Sequence, residues 1–158
     1  MRAGATRLVL FVGLTLLVGC DHATKLAAKS GLEGQAPRQL VRGVLDLRYR
    51  ENTDVAFNLL RAVPERVRGP ILLVLGAVAS LALLTLLLRR AQLGLPRIAL
   101  LLVTAGAIGN YLDRLVRGYV VDFVHVPYWP VFNVADAYVT AGGVLLLAYA
   151  FQRRRAPA

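Results

Sequence analysis

Four long apolar stretches constrain this chain more than any other feature of its sequence. They cover residues 8–28, 70–88, 98–115 and 131–151, and each approaches the roughly 20 apolar residues that a helix needs to cross a bilayer. Hydrophobic residues make up 57% of the 158, whereas soluble domains are about 45–50% apolar. The sequence therefore predicts an all-α integral membrane protein with four transmembrane helices, forming one domain over residues 1–158.

The net positive charge of the chain is explained by this pattern of membrane-spanning stretches. The net charge is +10, and many arginines stand where the apolar stretches end. Flanking cations anchor membrane helices among lipid headgroups, so the charge does not indicate nucleic-acid binding, for which the sequence has no motif. Four crossings place both termini and the loop 89–97 on one side, with eight Lys and Arg and no acid, while the other side has eleven and all nine acids. The count alone leaves the orientation open, but the arginine clusters at the short loop and the C-terminus favour cytoplasmic termini.

The largest polar segment, residues 29–69, separates the first two stretches. Within it, apolar and charged residues alternate over 45–50, which is the periodicity of a strand. A polar turn at 51–54 is followed by a second apolar run at 55–59. We predict a small β-hairpin within residues 40–60, with one apolar face lying on the outer membrane surface. Pro64 is placed to open a short helix that leads into the second span.

The N-terminus resembles a lipoprotein signal peptide, because basic residues and an apolar run precede Leu-Val-Gly-Cys at 17–20. One alternative is therefore a lipoprotein-like scaffold anchored through Cys20. The run is long enough to span, however, and three more spans follow, which favours a first transmembrane helix with Cys20 as a small packing residue. Cys20 is the sole cysteine and there are two histidines, so we expect no disulfide, no metal and no cofactor.

Charged and amide residues inside the spans gather toward one membrane face. Asp21 and Lys25 are four residues apart near the end of the first span and share a helix face. A structural ion pair is the favoured interpretation, ahead of a direct chemical role. Asn110, Asp113 and Arg114 share a face of the third span. Arg114 is suited to hold a carboxylate, a backbone carbonyl or a lipid headgroup, or else only to reach the interface.

Two glycines precede this second group, at Gly106 and Gly109. Small residues let neighbouring membrane helices approach closely. We therefore expect another helix to pack against the third span at this level.

Two further carboxylates, Asp122 and Asp136, lie in apolar surroundings fourteen residues apart. Pro127 and Pro130 separate them, so the chain should fold back and bring one carboxylate from each side of the turn to the same depth. Two carboxylates in a partly dry site share a proton, which is what aspartic proteolysis requires. The ionised group activates water, and the protonated partner assists the leaving nitrogen.

Two simpler interpretations remain open from the residues alone. Asp136 with Asn133 is placed to cap the fourth helix, and Asp122 is placed to pair with Arg114. A different function is also open, that of a small transporter with carboxylates as proton or cation sites. Such a protein should place its acids near the middle of the bilayer, whereas these crowd one face beside a polar cap, which better suits a substrate at the membrane surface.

In these segments the chain resembles the lipoprotein signal peptidases, also called signal peptidase II. The resemblance covers nearly the whole chain, in order and spacing. It rests on D-x-x-T-K at 21–25, G-N-x-x-D-R at 109–114, V-V-D-F at 120–123 and F-N-x-A-D at 132–136. Each motif is weak alone, but four in order on a four-span chain of this length are highly specific.

The resemblance implies a membrane aspartic endopeptidase that removes the signal peptide from diacylglyceryl-modified prolipoproteins, cutting before the lipidated cysteine. It implies a catalytic pair at Asp122 and Asp136. The implied supporting and substrate-binding residues are Asp21, Lys25, Asn52, Asn110, Asp113, Arg114, Asn133 and Ala135. Expected partners are lipidated prolipoproteins and membrane lipids, with no nucleic acid and no obligate protein partner. The site would face the periplasm of a bacterial inner membrane, with both termini cytoplasmic, and the hairpin would be the family's periplasmic β-cradle.

One position departs from the family pattern. The hairpin motif runs roughly N-x-G-x-A-F in the family, and here it reads Asn52-Thr53-Asp54-Val55-Ala56-Phe57. If the third position requires a positive φ, aspartate is among the more tolerant replacements for glycine but still carries a cost. It also adds a negative charge near Asn52, one of the implied substrate contacts.

Overall fold

The four predicted membrane helices are present. The computed structural model describes residues 3–54, 62–89 and 94–155. Its helices are α1 (Ala3–Leu32), α2 (Glu65–Arg89), α3 (Leu95–Arg117) and α4 (Val134–Arg155). Each has a stretch long and apolar enough to cross a membrane, which confirms the predicted all-α membrane architecture.

The helix ends differ from the predicted spans where local capping decides them. α3 begins with Pro96 in its first turn and ends at Gly118, whose φ of 82° forms a left-handed cap with its N–H donating to the Arg114 carbonyl. The predicted start of the fourth span at residue 131 is wrong by three residues. Asn133 and Asp136 cap each other, since each backbone N–H donates to the other's side-chain oxygen at 3.2 and 3.0 Å. This reciprocal capping fixes the first turn of α4.

A three-stranded antiparallel sheet accompanies the helices. Its strands are β1 (Arg38–Val41), β2 (Leu45–Asn52) and β3 (Val120–His125), in the order β1-β2-β3. The strand expected over residues 45–50 is confirmed as part of β2. Its predicted hairpin partner at 55–59 lies outside the described residues. Among the described residues, β2 pairs with β1, which precedes it across a turn at Gly43 (φ 73°), and with β3.

Close helix packing places α3 against α1 and α4. A Cβ at Gly106 would collide with the carbonyl oxygen of Ala135 on α4, and a Cβ at Gly109 would lie 2.6 Å from the Asp21 carboxylate on α1. The predicted close approach at these two glycines is therefore confirmed, because only hydrogen fits there. Since Asp21 and Ala135 belong to different helices, the packing brings α1, α3 and the start of α4 together at one end of the molecule.

Candidate active site

A fully buried ion cluster joins α1 to α3. Lys25 has no exposed surface, and its Nζ lies 2.8 Å from Asp21 Oδ2 and 2.9 Å from Asp113 Oδ2. Arg117 pairs with the other oxygen of Asp113. Asp21 Oδ1 accepts the backbone N–H of Ala135 at 2.9 Å, which ties α4 to the same cluster. These buried charges, here called the buried ion cluster, link α1, α3 and α4, as expected of a structural ion pair.

The amide of Asn110 links this cluster to the next layer. Its Oδ1 accepts a hydrogen bond from Lys25 Nζ at 2.9 Å, and its Nδ2 donates to Asp136 Oδ1 at 2.8 Å. An ammonium has donors only, so Lys25 determines which end of the amide faces it. Lys25 thereby orients the amide N–H toward the Asp136 carboxylate.

Asp122 lies on β3 and is 1% exposed. Asn52 Nδ2, from the end of β2, donates to Asp122 Oδ2 at 2.9 Å, and Asn133 Nδ2 donates to Oδ1 at 2.7 Å. Burial, and next the negative charge of Asp136, raise the pKa of Asp122 to about 6, although the two amide donors oppose the rise. A raised pKa in a partly dry site is what a carboxylate that holds a shared proton requires.

The chain folds back between the two carboxylates, as predicted. Phe132 exchanges backbone hydrogen bonds with Val124 of β3 at 2.8 and 2.9 Å. A turn at Tyr128 (φ 67°) reverses the direction, with the Trp129 N–H donating to the Val126 carbonyl. This bridge sets the start of α4 beside β3.

Asn133 contacts both carboxylates after this reversal. Its side chain donates to Asp122 and its backbone N–H donates to Asp136 Oδ2. The helix-capping interpretation of Asp136 is therefore correct as well, and does not exclude a chemical role. The expected ion pair of Arg114 with Asp122, two of the described residues, is not formed. Arg114 Nη2 instead donates to the backbone carbonyl of Asp54 at 2.9 Å.

Both carboxylates line one cavity of about 300 Å³. Its polar wall is formed by Arg50, Asn52, Asn110, Arg114, Asp122 and Asp136. Its apolar wall comes from the turn before α4 and from α4 itself, including Trp129, Pro130, Val131, Phe132 and Val139. The cavity thus combines paired carboxylates and amide donors with an apolar side.

The structure sorts the predicted site residues into two groups. Those at the cavity are Asn52, Asn110, Arg114, Asp122 and Asp136, and those that support them from behind are Asp21, Lys25, Asp113, Asn133 and Ala135. Sequence reasoning missed Arg50 and Trp129 in the cavity wall. It also missed the pairing of Arg117 with Asp113, which the i, i+4 spacing would have revealed.

The two remaining sequence questions concern Asp54 and Cys20. Among the described residues other than glycine, Tyr128 alone has a positive φ, so Asp54 does not adopt the left-handed backbone considered from the resemblance. Cys20 is exposed on the surface of α1. Its side chain is therefore not among the buried contacts that hold the helices together at the site.

The fold and the cavity together define a multi-pass membrane protein with a paired-carboxylate site at one end of its helices. The model of the signal peptidase II family matches residues 14–152. A lipoprotein signal peptidase of Caldicellulosiruptor bescii is 36% identical over 82% of this chain and 81% of its own length. Another, from Rhodococcus jostii, is 35% identical over 89% of this chain and 71% of its own. A solved bacterial membrane enzyme has the same fold, with a TM-score of 0.79 and 22% identity over 93% of this chain and 90% of its own.

The chain belongs to the signal peptidase II family. The predicted family and the predicted enzyme class, a signal peptidase II, are confirmed. The protein is accordingly a bacterial multi-pass membrane hydrolase. Membership of this family is the reason to set aside the transporter and the lipoprotein scaffold.

Proposed function

We propose that this protein is a membrane aspartic endopeptidase that removes the signal peptide from diacylglyceryl-modified prolipoproteins and cuts just before the lipidated cysteine. One observation carries the proposal. Asp122 and Asp136, from two different elements, line the same cavity and accept hydrogen bonds from the same residue, Asn133. A shared donor and a shared cavity support a functional carboxylate pair.

The proposed chemistry uses one proton between the two carboxylates. Like-charge repulsion and burial disfavour double ionisation, so one group is ionised while its partner holds the proton. The ionised carboxylate accepts a proton from water as that water attacks the scissile carbonyl. The protonated carboxyl stabilises the oxyanion and then donates its proton to the leaving nitrogen. Burial and the charge of Asp136 raise the pKa of Asp122 to about 6, so this carboxyl is able to take part in sharing the proton.

The surrounding amides keep the carboxylates in place through the reaction. Asn52 and Asn133 donate to Asp122, while Asn110 donates to Asp136. Each amide is itself held, as Asn110 is by Lys25. Such preorganised donors cost no reorganisation when charge moves between the carboxylates.

The cavity and the charge distribution support the proposed substrate and the proposed orientation in the membrane. The apolar wall beside the carboxylates, with Trp129 58% exposed, suits a substrate that arrives with acyl chains in the bilayer. The arginine clusters near the termini favour cytoplasmic termini. We therefore place the cavity at the periplasmic face of the inner membrane.

Conservative substitution of each carboxylate tests the catalytic pair. Asp122→Asn and Asp136→Asn should each lower cleavage at least about 10²-fold, because an amide cannot exchange the proton. The double variant should be little worse, since residues of one catalytic unit are not additive. Asp46→Asn is the matched control, a carboxylate of the same sheet that pairs with Arg48 outside the cavity wall. A folded single variant of the pair that keeps more than about a tenth of the activity refutes the assignment.

The lipid requirement is tested separately on one prolipoprotein with and without its diacylglyceryl group. Anchored acyl chains contribute on the order of 0.8 kcal/mol per buried CH₂. Cleavage should therefore depend strongly on the lipid. Equal rates on the two substrates would exclude the proposed substrate class while leaving the carboxylate pair untouched.

A further inference from the structure

Asp54 stands at a junction between the sheet, α2 and α3. It is 4% exposed, and its contacts include three of different kinds. Its backbone N–H donates to Asn52 Oδ1 at 2.9 Å, its carbonyl accepts from Arg114 Nη2 at 2.9 Å, and its carboxylate lies 3.5 Å from Arg68 Nη1. The first contact lies within the segment that follows β2, and the other two tie this segment to α3 and α2.

The backbone contact decides how the Asn52 amide is oriented. An amide side chain has an acceptor at one corner and a donor at the other. Because the Asp54 N–H occupies Asn52 Oδ1, the Nδ2 faces Asp122 Oδ2 at 2.9 Å. A reversed amide would set its oxygen against the carboxylate oxygen, which repels it. The position of the Asp54 backbone therefore selects the orientation in which Asn52 donates to Asp122.

The side-chain contact fixes that backbone position. Arg68, in the first turns of α2, reaches both residues that follow Asn52. Its Nη2 donates to Thr53 Oγ1 at 3.2 Å and its Nη1 pairs with Asp54 Oδ2. The two side chains of the ion pair are 13% and 6% exposed, so solvent screens the pair only weakly. The Arg68 guanidinium on α2 thus holds residues 53–54, and the Asp54 backbone in turn orients the Asn52 amide.

We propose that Asp54, through its ion pair with Arg68, is a positioning residue that holds the Asn52 amide against Asp122. The proposal rests on the catalytic pair described above. The ion pair adds a side-chain link to the backbone contacts of Asp54, which a glycine at this position would also make.

The test uses the pH dependence of kcat/KM, because a merely structural role would not move it. Asn52 donates to Asp122 and so lowers its pKa. Asp54→Gly and Arg68→Gln should each shift the profile to higher pH by about half a unit or more, since complete loss of a hydrogen bond to a charged group corresponds to about one to two pKa units. KM should change less than kcat. Arg68→Lys, which keeps the charge, should recover part of the shift, and Asp46→Asn should leave the profile in place.

A second comparison identifies the route of the effect. If Asp54 acts through Asn52, then Asp54→Gly added to Asn52→Ala should shift the profile no further, because the amide that it positions is already gone. An additive shift would overturn the proposal. So would an unchanged profile, or activity that falls equally at every pH. The isosteric Asp54→Asn serves in the same comparison if the glycine variant folds poorly. If the wild type cleaves the substrate and the Asp122 and Asp136 variants do not, the proposed function stands. A negative result with the Asp54 variants then counts against this proposal alone.

Discussion

Replacing Lys25 by methionine should destabilise the protein more than any single change outside the cavity. Lys25 Nζ is the shared partner of Asp21 and Asp113, both with no exposed surface, and of the Asn110 amide. Methionine fills a similar volume but leaves the carboxylates without this cation. Removing one partner of a buried ion pair costs about 3–5 kcal/mol. Asp113 retains Arg117, so we expect about 4 kcal/mol rather than twice the value for one pair.

A thermal unfolding experiment in detergent measures this loss. For a chain of about this size, each kcal/mol shifts Tm by roughly 2–4 °C, so Lys25→Met should unfold about 8–16 °C below the wild type. Trp129, the sole tryptophan, provides the fluorescence signal. Lys29→Met is the matched control one turn along α1, since Lys29 is only partly buried and donates to the Tyr119 hydroxyl. Its cost should stay near 1 kcal/mol or below.

A compensating variant tests the electrostatic cause. Asp21→Asn added to Lys25→Met removes the uncompensated charge, while the amide oxygen still accepts the Ala135 N–H. The double variant should therefore recover about 2 kcal/mol relative to Lys25→Met. A Lys25→Met protein whose free energy of unfolding lies within about 1 kcal/mol of the wild-type value would refute the stabilising role of the buried ion cluster. If the losses caused by Lys25→Met and Asp21→Asn simply add in the double variant, the charge-based explanation is refuted.

Two further predictions concern helix packing and pH. Gly142→Ala should destabilise the protein by about 1–3 kcal/mol, because the added Cβ would lie 2.5 Å from the Ala99 carbonyl oxygen. Gly143→Ala is the control and should be neutral or stabilising, since its added Cβ has no atom of the described residues within 4 Å. Equal melting temperatures of the two variants would contradict the packing of α3 on α4. Burial raises the pKa of Asp122 from 3.8 to about 6, so the folded state binds this proton more tightly than the unfolded chain does. Stability should therefore fall by about 3 kcal/mol in all as the pH rises from below the unfolded pKa to above the folded pKa, with about 2 kcal/mol of it lost between about pH 4 and 6. Asp122→Asn should lack this component, so its Tm relative to the wild type should rise over that interval; a constant difference would show that Asp122 titrates normally.

Local patterns carried much of the fold and of the site. Hydropathy and length gave the four helices, because a bilayer leaves a long apolar segment few alternatives to a helix. Alternation gave the strand around Leu47, and the i, i+4 spacing gave the pair of Asp21 with Lys25. The two carboxylates Asp122 and Asp136 stood out because charge is costly in apolar surroundings.

Sequence patterns did not predict which distant segments pair with each other. β2 pairs with β3, some 70 residues later, and this sets Asn52 against Asp122. No local periodicity encodes such a partner, because an exposed strand edge accepts any strand that reaches it. Sequence patterns therefore did not predict that β3 would be a strand, while the hairpin expected with residues 55–59 lies outside the described residues.

Amide orientation and long-range ion pairs also depended on the tertiary structure. The sequence identified Asn110 and Asn133 as site residues through a family resemblance, but only the packing of α1 on α3 places Lys25 against the Asn110 oxygen and turns its N–H toward Asp136. The pairing of Asp54 with Arg68 likewise joins residues fourteen apart, one in the segment after β2 and the other on α2. Sequence by itself determined which groups are too polar for the membrane to leave unpartnered, whereas the tertiary structure decided which partner each one has, because hydrogen bonds depend on distances that only the packed helices and the sheet establish.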